Sequence, residues 1–250
     1  MNIQTIKSQL RALRLSTAAK EIDEILTSNS TAPNLSWVCE LLQRELDQRR
    51  ENTIQSRIKA CRFPEITSLE TFDFKFNSDV PESKIREIAQ SSFLDQRQIA
   101  LFLGPPGVGK THIAIAIGYQ CIQAGRRVYC STAKKLGQEI LMHKQSNSLD
   151  LFFKRILACD LWIIDDWAVV GMAKSVAEEV FDLMDRRKSH AAMIVTSNRD
   201  VSEWQQVFPD AILAQATIDR IFDRAEIVVF PGNSYRLKSK IQIQKIDKVL

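Results

Sequence analysis

Gly104-Pro105-Pro106-Gly107-Val108-Gly109-Lys110-Thr111 fits the pattern G-x-x-x-x-G-K-[ST] at every fixed position, and its surroundings have the order that the pattern needs. An apolar run, Ile99-Ala100-Leu101-Phe102-Leu103, enters it as a buried strand would, and His112-Ile113-Ala114-Ile115-Ala116-Ile117 leaves it with helical length and apolar content. Glycines let backbone N–H groups converge on phosphate oxygens, and the N-terminus of the following helix adds partial positive charge. The stretch therefore reads as a nucleoside triphosphate cradle. Gly104, Pro105, Pro106, Gly107, Val108, Gly109, Lys110, Thr111 and His112 are the expected contacts of ATP, with Lys110 pairing the β- and γ-phosphates and Thr111 ligating Mg²⁺.

A second stretch supports the first. Leu161-Trp162-Ile163-Ile164-Asp165-Asp166 is an apolar strand ending in two carboxylates, the form of a Walker B motif. Asp165 is placed to hold Mg²⁺ through water, and Asp166 to orient or deprotonate an attacking water. A further strand, Ala192 to Thr196, ends in Ser197-Asn198-Arg199. An amide at the end of a strand beside the P-loop strand can reach both γ-phosphate and water, which makes Asn198 the candidate γ-phosphate sensor. Farther on, Ala214 to Phe222 reads as a helix containing Asp219-Arg220-Ile221, followed by a strand over Ile227 to Phe230. From spacing alone Arg220 is either an arginine finger for a neighbouring subunit's nucleotide or an arginine paired with an acid, and Arg224 competes for the first role.

The 250 residues suffice for one α/β core and a smaller appendage. No apolar run approaches the roughly 20 residues of a bilayer span, and the first fifteen residues alternate charge with aliphatics, so a cytoplasmic location and no membrane partner are expected. Cys39, Cys61, Cys121, Cys130 and Cys159 are odd in number and form no C-x-x-C pair, so they read as small buried hydrophobes. The net charge of +4 is unevenly spread. Residues 121–160 carry seven Lys/Arg against three acids and residues 230–250 five against one, whereas residues 161–219 carry ten acids against five bases. Such polarity suits a basic face for a polyanion; a solvated face without a partner is the alternative.

Taken in order, the chain divides into a helical N-terminal domain (1–62) for DNA or partner contact, a joining strap and helix (63–97), the ATPase core (98–232) and a basic tail (233–250). Residues 1–60 read as helical throughout, with Ile3, Ile6, Leu10 and Leu13 in one run. Trp37, Leu41, Leu42, Leu46, Ile54 and Ile58 form a second, with Ser36 as its N-cap and a turn-rich break at Ser28–Asn34. Phe72, Phe74 and Phe76 alternate with polar residues and predict an extended strand with three rings on one side, packed on the core or walling the adenine pocket. A single helix is expected from Pro81 to about Ser91, a strand over Arg127–Ser131, basic helices over Lys134–Met142 and Leu149–Leu157, and another helix over Ser175–Arg187.

With these motifs in order, the sequence resembles the IstB-like ATP-binding proteins, helper ATPases encoded beside an insertion-sequence transposase, and more distantly the DnaC helicase loaders. The resemblance rests on Leu10 to Ser16, Arg62-Phe63-Pro64 and Phe72-Asp73-Phe74, then on Gly104 to His112 and Ile163 to Trp167. Thr196 to Arg199, Ser202-Glu203-Trp204, Asp219-Arg220-Ile221 and Ser234-Tyr235-Arg236 complete it. It implies an α/β fold of the P-loop AAA+ type, a parallel sheet flanked by helices, with a small all-helical N-terminal domain. It further implies an ATPase that assembles on duplex DNA as a homo-oligomer with nucleotide at the subunit interfaces, deforms the DNA, selects target sites, and recruits or stimulates a transposase. A DnaC-like loader of a replicative helicase is the alternative. Against a small-molecule P-loop kinase stand Asn198, the Asp219-Arg220 element and the N-terminal helices.

In that clade a helical insertion before the Walker B strand faces nucleic acid, which here implies DNA contacts at Lys134, Lys135, Lys144, Lys154 and Arg155. The resemblance also favours Arg220 as the finger acting in trans and offers Arg236 as a second sensor. One departure stands out: the second acidic position, usually Glu, is Asp166. Its carboxylate sits one methylene farther back, which implies slow hydrolysis stimulated by DNA or a partner.

Overall fold

The short apolar runs become five parallel strands. The computed structural model describes residues 3–28, 36–188, 190–232 and 234–236. In it β1 (Ile99–Leu103), β2 (Val128–Thr132), β3 (Leu161–Asp165), β4 (Ala192–Ser197) and β5 (Ala225–Val229) lie in the order β2-β3-β4-β1-β5. Every pairing is parallel, with Leu103 opposite Ser197 and Val229, and Ile164 opposite Val195. Parallel sheets are covered on both faces, which is why β1, β3 and β4 are continuous apolar runs and not alternating ones.

The chain divides between Ser56 and Arg57 into two compact units. In the larger, α6 (Lys110–Gln123) packs closely on β3: a Cβ at Gly118 would stand 2.6 Å from Ile163 Cδ1. The other face of the sheet, with Ile99, Leu101, Trp162, Ile164, Met193 and Val195, joins one apolar core with the helices α7 (Ala133–Gln145), α8 (Leu149–Leu157), α9 (Lys174–Arg187) and α10 (Ala211–Phe222). Asp210 caps α10 by accepting from the Leu213 N–H at 2.8 Å. A 3₁₀ helix over Val201–Val207, which the sequence pattern does not announce, seats Trp204 in this core.

The smaller unit holds α1 (Ile3–Ala12), α2 (Ser16–Ser28) and the first part of α3 (Ser36–Cys61) around Ile6, Leu10, Ala19 and Cys39. The expected continuous first helix is interrupted. Leu15 N–H bonds Leu10 C=O and Arg14 N–H bonds Arg11 C=O, each at 2.9 Å, with Arg14 at φ 63°. This is a Schellman turn with arginine at the left-handed position that glycine usually fills, so the usual sequence signal is missing. The anticipated break after Ser28, the side chains of Ser36 and Trp37, and the tail beyond Arg236 lie outside the described residues.

The phenylalanine-rich strap is likewise not a strand. It is a chain of turns: Asp73 Oδ1 accepts from the N–H groups of Lys75 and Phe76 at 3.1 and 3.2 Å, and Phe76 N–H also bonds Asp73 C=O. An aspartate that bonds the backbone two residues on overrides the alternation of aromatic rings. The helix expected to run to Ser91 is two pieces, α4 (Glu82–Ile88) and α5 (Ser91–Asp95). Among the described residues no helix is long and apolar enough to cross a membrane. Cys39, Cys61 and Cys121 are buried, and Cys130 and Cys159 are partly so; burial pushes the Cys61, Cys121 and Cys130 thiols up to about 12.

Phe102, fully buried with its ring 5.2 Å from that of Phe230, is a sensitive test of this core. Phe102→Ala is expected to lower stability by about 3–5 kcal/mol. Leu151→Ala, at a side chain 71% exposed, should change it by less than about 0.5 kcal/mol. Urea unfolding followed by tryptophan fluorescence checks both as midpoint shifts at constant slope.

Candidate nucleotide site

The ladder sets the carboxyl ends of β1, β3 and β4 level, and the polar residues that follow them meet there, where ligands bind in open α/β sheets. Between β1 and α6 the loop turns through Gly107 at φ 83° and Gly109 at φ 102°, values that favour glycine. A side chain at Gly109 would also strike the Phe72 ring, 2.5 Å from the would-be Cβ, and one at Gly107 would strike Ser234 Oγ at 2.1 Å.

Lys110 is buried, and its ammonium donates to Gly104 C=O at 2.8 Å, Pro105 C=O at 2.7 Å and Asn198 Oδ1 at 2.7 Å. Asn198 in turn donates from Nδ2 to Asp166 Oδ1 at 3.0 Å. Thr111 Oγ1 donates to Asp165 Oδ1 at 2.7 Å. Through Thr196, which bonds both Asp165 and Asp166, the residues Lys110, Thr111, Asp165, Asp166 and Asn198 belong to one hydrogen-bonded group. Burial pulls the Lys110 ammonium down to about 8, opposed by the charges of Asp166 and Asp165 and assisted by that of Arg236. Burial, then the neighbouring Asp165, pushes the Asp166 carboxyl up, against the Asn198 hydrogen bond and the Lys110 and Arg236 charges. Arg236 is therefore within electrostatic reach of both groups.

Thr111 Oγ1 and Asp165 Oδ1 are hard oxygen donors side by side, the donor set Mg²⁺ prefers. The loop's left-handed glycines and the α6 N-terminus suit a polyphosphate. His112 stands on the first turn of α6, its ring 5.5 Å from Phe72 and its C=O accepting from Thr67 Oγ1 at 2.9 Å.

Other expected residues are not drawn in. Arg220 sits near the end of α10, just before β5 starts opposite Ile99, and so at the amino edge of the sheet, away from the P-loop. There its Nε donates to Asp185 Oδ1 at 2.8 Å and its guanidinium lies 4.0 Å from the centre of the Phe181 ring. Within one chain it is thus the acid-paired arginine of the two readings. Lys134 lies exposed on α7, Lys135 is partly buried there, and Lys144 pairs with Glu179 at 2.7 Å. Lys154 and Arg155 are exposed on α8, with Arg155 5.3 Å from the Phe152 ring centre.

Three contacts escaped the sequence pattern. Asn77, buried in the strap, donates from Nδ2 to Val108 C=O at 3.3 Å. Tyr235 N–H bonds Gly107 C=O at 3.0 Å. Thr196 touches both carboxylate residues. The first two carried no signal of their own, whereas a hydroxyl residue at the end of a buried strand beside an acidic pair was one.

Strand order, phosphate loop and acidic strand end together define a P-loop nucleotide-binding protein of the α/β class. More particularly, the chain belongs to the IstB-like ATP binding protein family, whose model matches residues 5–243. An insertion sequence IS21 ATP-binding protein of Pseudomonas aeruginosa is 35% identical over 204 residues, 82% of this chain and 77% of that one. Among solved structures, the DnaC helicase loader superposes with a TM-score of 0.58 at 18% identity, covering 68% of this chain and 99% of that one. AMPPCP-bound DnaA from Aquifex aeolicus gives 0.57 at 20% identity, over 73% of this chain and 55% of that one. These likenesses are of fold, and the fold is that of AAA+ proteins.

The lysine makes the site pH-sensitive. As the lysine of the phosphate-loop motif, Lys110 is expected to bind phosphate in its charged form, which burial disfavours by pulling its ammonium down to about 8. Binding above that pH must take up a proton, so affinity for a non-hydrolysable ATP analogue should fall as pH rises from about 8 to 10, by at most tenfold per unit. Calorimetric titration across that range checks this, with Lys110→Ala expected to bind weakly and without the slope.

Proposed function

We propose that this chain is an ATP-dependent, DNA-bound ATPase of an insertion sequence, assembling on duplex DNA through nucleotide held between subunits, deforming it, and selecting target sites for a transposase that it recruits or stimulates. The observation that carries the reading is the split of the charged groups between the two edges of the sheet. Lys110, Asn198 and the acidic pair are joined at one edge, and Arg220 stands at the other. A cation so placed serves a neighbour's nucleotide and not its own. Within the chain it is held by Asp185, the Phe181 ring and the Ala216 C=O, and exchanging Asp185 for a phosphate leaves the other two contacts in place.

In the reaction, Lys110 leaves the loop carbonyls for the β- and γ-phosphates, while the Asn198 amide keeps the Asp166 carboxylate aligned. Thr111 and Asp165 would hold Mg²⁺, which would neutralise charge on the phosphates when bound. A water oxygen bonds the γ-phosphorus, its proton passes to Asp166, and the bond to the ADP oxygen breaks. The raised pKa of Asp166 suits a group that takes a proton. Arg220 from the next subunit adds positive charge to the transferring phosphoryl group, and Arg236 approaches it from the chain's own C-terminal segment.

The DNA face is assigned to Lys134, Lys135, Lys144, Lys154 and Arg155 on α7 and α8, and the N-terminal helices, within 1–62, to DNA or partner contact. The strap 63–97 supports the phosphate loop of the core 98–232, with the basic tail 233–250 beyond, and the protein acts in the cytoplasm beside its DNA. A DnaC-like helicase loader is the second reading, favoured by the fold likeness along nearly all of that structure.

Light scattering of the purified chain tests the proposal. A large assembly is expected with duplex DNA and an ATP analogue but not with ADP, lost in Arg220→Ala and weakened with a reduced salt dependence when Lys134, Lys135, Lys154 and Arg155 are changed to Glu. A monomer under every condition contradicts it, and capture of a hexameric helicase but no transposase would turn the assignment to the loader.

A further inference from the structure

Thr196, the fifth residue of β4, is 1% exposed and meets three successive residues of the segment that leaves β3. Its Oγ1 donates to Asp165 Oδ1 at 2.5 Å. The same oxygen accepts the Asp166 N–H at 3.1 Å. Its C=O accepts the Trp167 N–H at 2.8 Å, and Ser197 Oγ next door donates to Trp167 C=O at 3.0 Å. A hydroxyl has one proton, and an ionised carboxylate can only accept, so the direction of the pair is fixed: the proton goes to Asp165 and a lone pair to the Asp166 N–H.

Between these anchors the backbone makes an uncommon move. Asp166 has φ 53°, in the left-handed region that few non-glycine residues occupy, aspartate being among the more tolerant. That move turns the Asp166 side chain toward Asn198 Nδ2. Meanwhile Asp165 Oδ1 receives two hydroxyls, one from Thr111 and one from Thr196. Only the first belongs to the phosphate loop. The second ties the carboxylate to the sheet.

We infer that Thr196 is a positioning residue that couples the two carboxylates through one hydroxyl, fixing the Asp165 orientation toward Mg²⁺ and the left-handed Asp166 backbone toward the attacking water. A group that orients a metal-binding carboxylate from behind typically changes metal affinity or activity by about 10- to 100-fold when removed. Valine keeps the shape and loses both hydrogen bonds; serine keeps both bonds and loses only a methyl group. Part of the inference rests on the ATP–Mg²⁺ reading above, and part on the protein alone.

The test uses the full-length chain with Thr196→Val and Thr196→Ser. In the nucleotide-free and metal-free protein, the Asp166 amide should exchange with solvent about tenfold faster in the valine variant and as in the parent in the serine variant. The Mg²⁺ concentration that half-maximally tightens binding of a non-hydrolysable ATP analogue should rise about tenfold or more with valine, while analogue affinity in EDTA stays unchanged. Turnover should fall in kcat with little change in the KM for ATP. Parent-like amide exchange and Mg²⁺ dependence in Thr196→Val would overturn the inference, as would equal losses with serine, which point to methyl packing. If the valine variant does not fold, Thr196→Cys, close in volume and weak in hydrogen bonding, decides by the same readouts. A parent protein without turnover would remove the proposed hydrolysis, yet amide exchange and the analogue titration would still decide the role of Thr196.

Discussion

The parallel ladder of β1, β4 and β3 sets Leu103 beside Ser197 and Ile164 beside Val195, and the nucleotide site follows from that register. One step past the last β3–β4 pair, Asp165 reaches Thr196; one step past the β1–β4 pairs, Gly104 N–H bonds Ser197 C=O at 3.3 Å. A slip of one residue would turn each side chain to the other face of the sheet. It would exchange Ile163 for Ile164 in the core and carry Asp165 away from Thr111. Close packing, such as Gly118 of α6 against Ile163, resists such a slip, so packing remote from phosphate decides where the carboxylates stand.

The phosphate loop itself is held from two directions. The strap brings Phe72 against Gly109, Asn77 against Val108 C=O and Thr67 against His112 C=O. The C-terminal segment brings Ser234 and the Tyr235 N–H against Gly107, and Phe76 meets Tyr235 edge to face at 5.0 Å. Such support matters because a glycine-rich loop has more backbone freedom to lose on ordering than any other. Preorganised N–H groups bind phosphate without that entropy being lost at the moment of binding. Lys110, already paired to two loop carbonyls, completes the closed arrangement until a ligand competes for its ammonium.

Much of this was legible in the chain because the chemistry is local. Residues 104–111 are one turn and one helix start, and Asp165, Asp166 and Asn198 stand at strand ends marked by apolar runs; those strands formed within a residue or two of expectation. Misreadings arose where a local polar contact outweighed periodicity. Asp73 curled an alternating aromatic stretch into turns, and Arg14 ended a helix without glycine. The missed contacts depend on pairings far apart in sequence. Thr196 lies 31 residues from Asp165, and Arg220 lies 35 from Asp185, distances at which no spacing rule operates.

Lys110, Asn198 and the acidic pair stand at one end of the sheet and Arg220 at the other, an arrangement that under the proposed function is completed only when subunits meet. The measurement that reaches this most directly is the steady-state rate of ATP hydrolysis as a function of protein concentration, with and without duplex DNA. Slow turnover by the isolated chain is expected, rising more than in proportion to concentration and stimulated by DNA. Fast turnover, strictly proportional to concentration and indifferent to DNA, would contradict it.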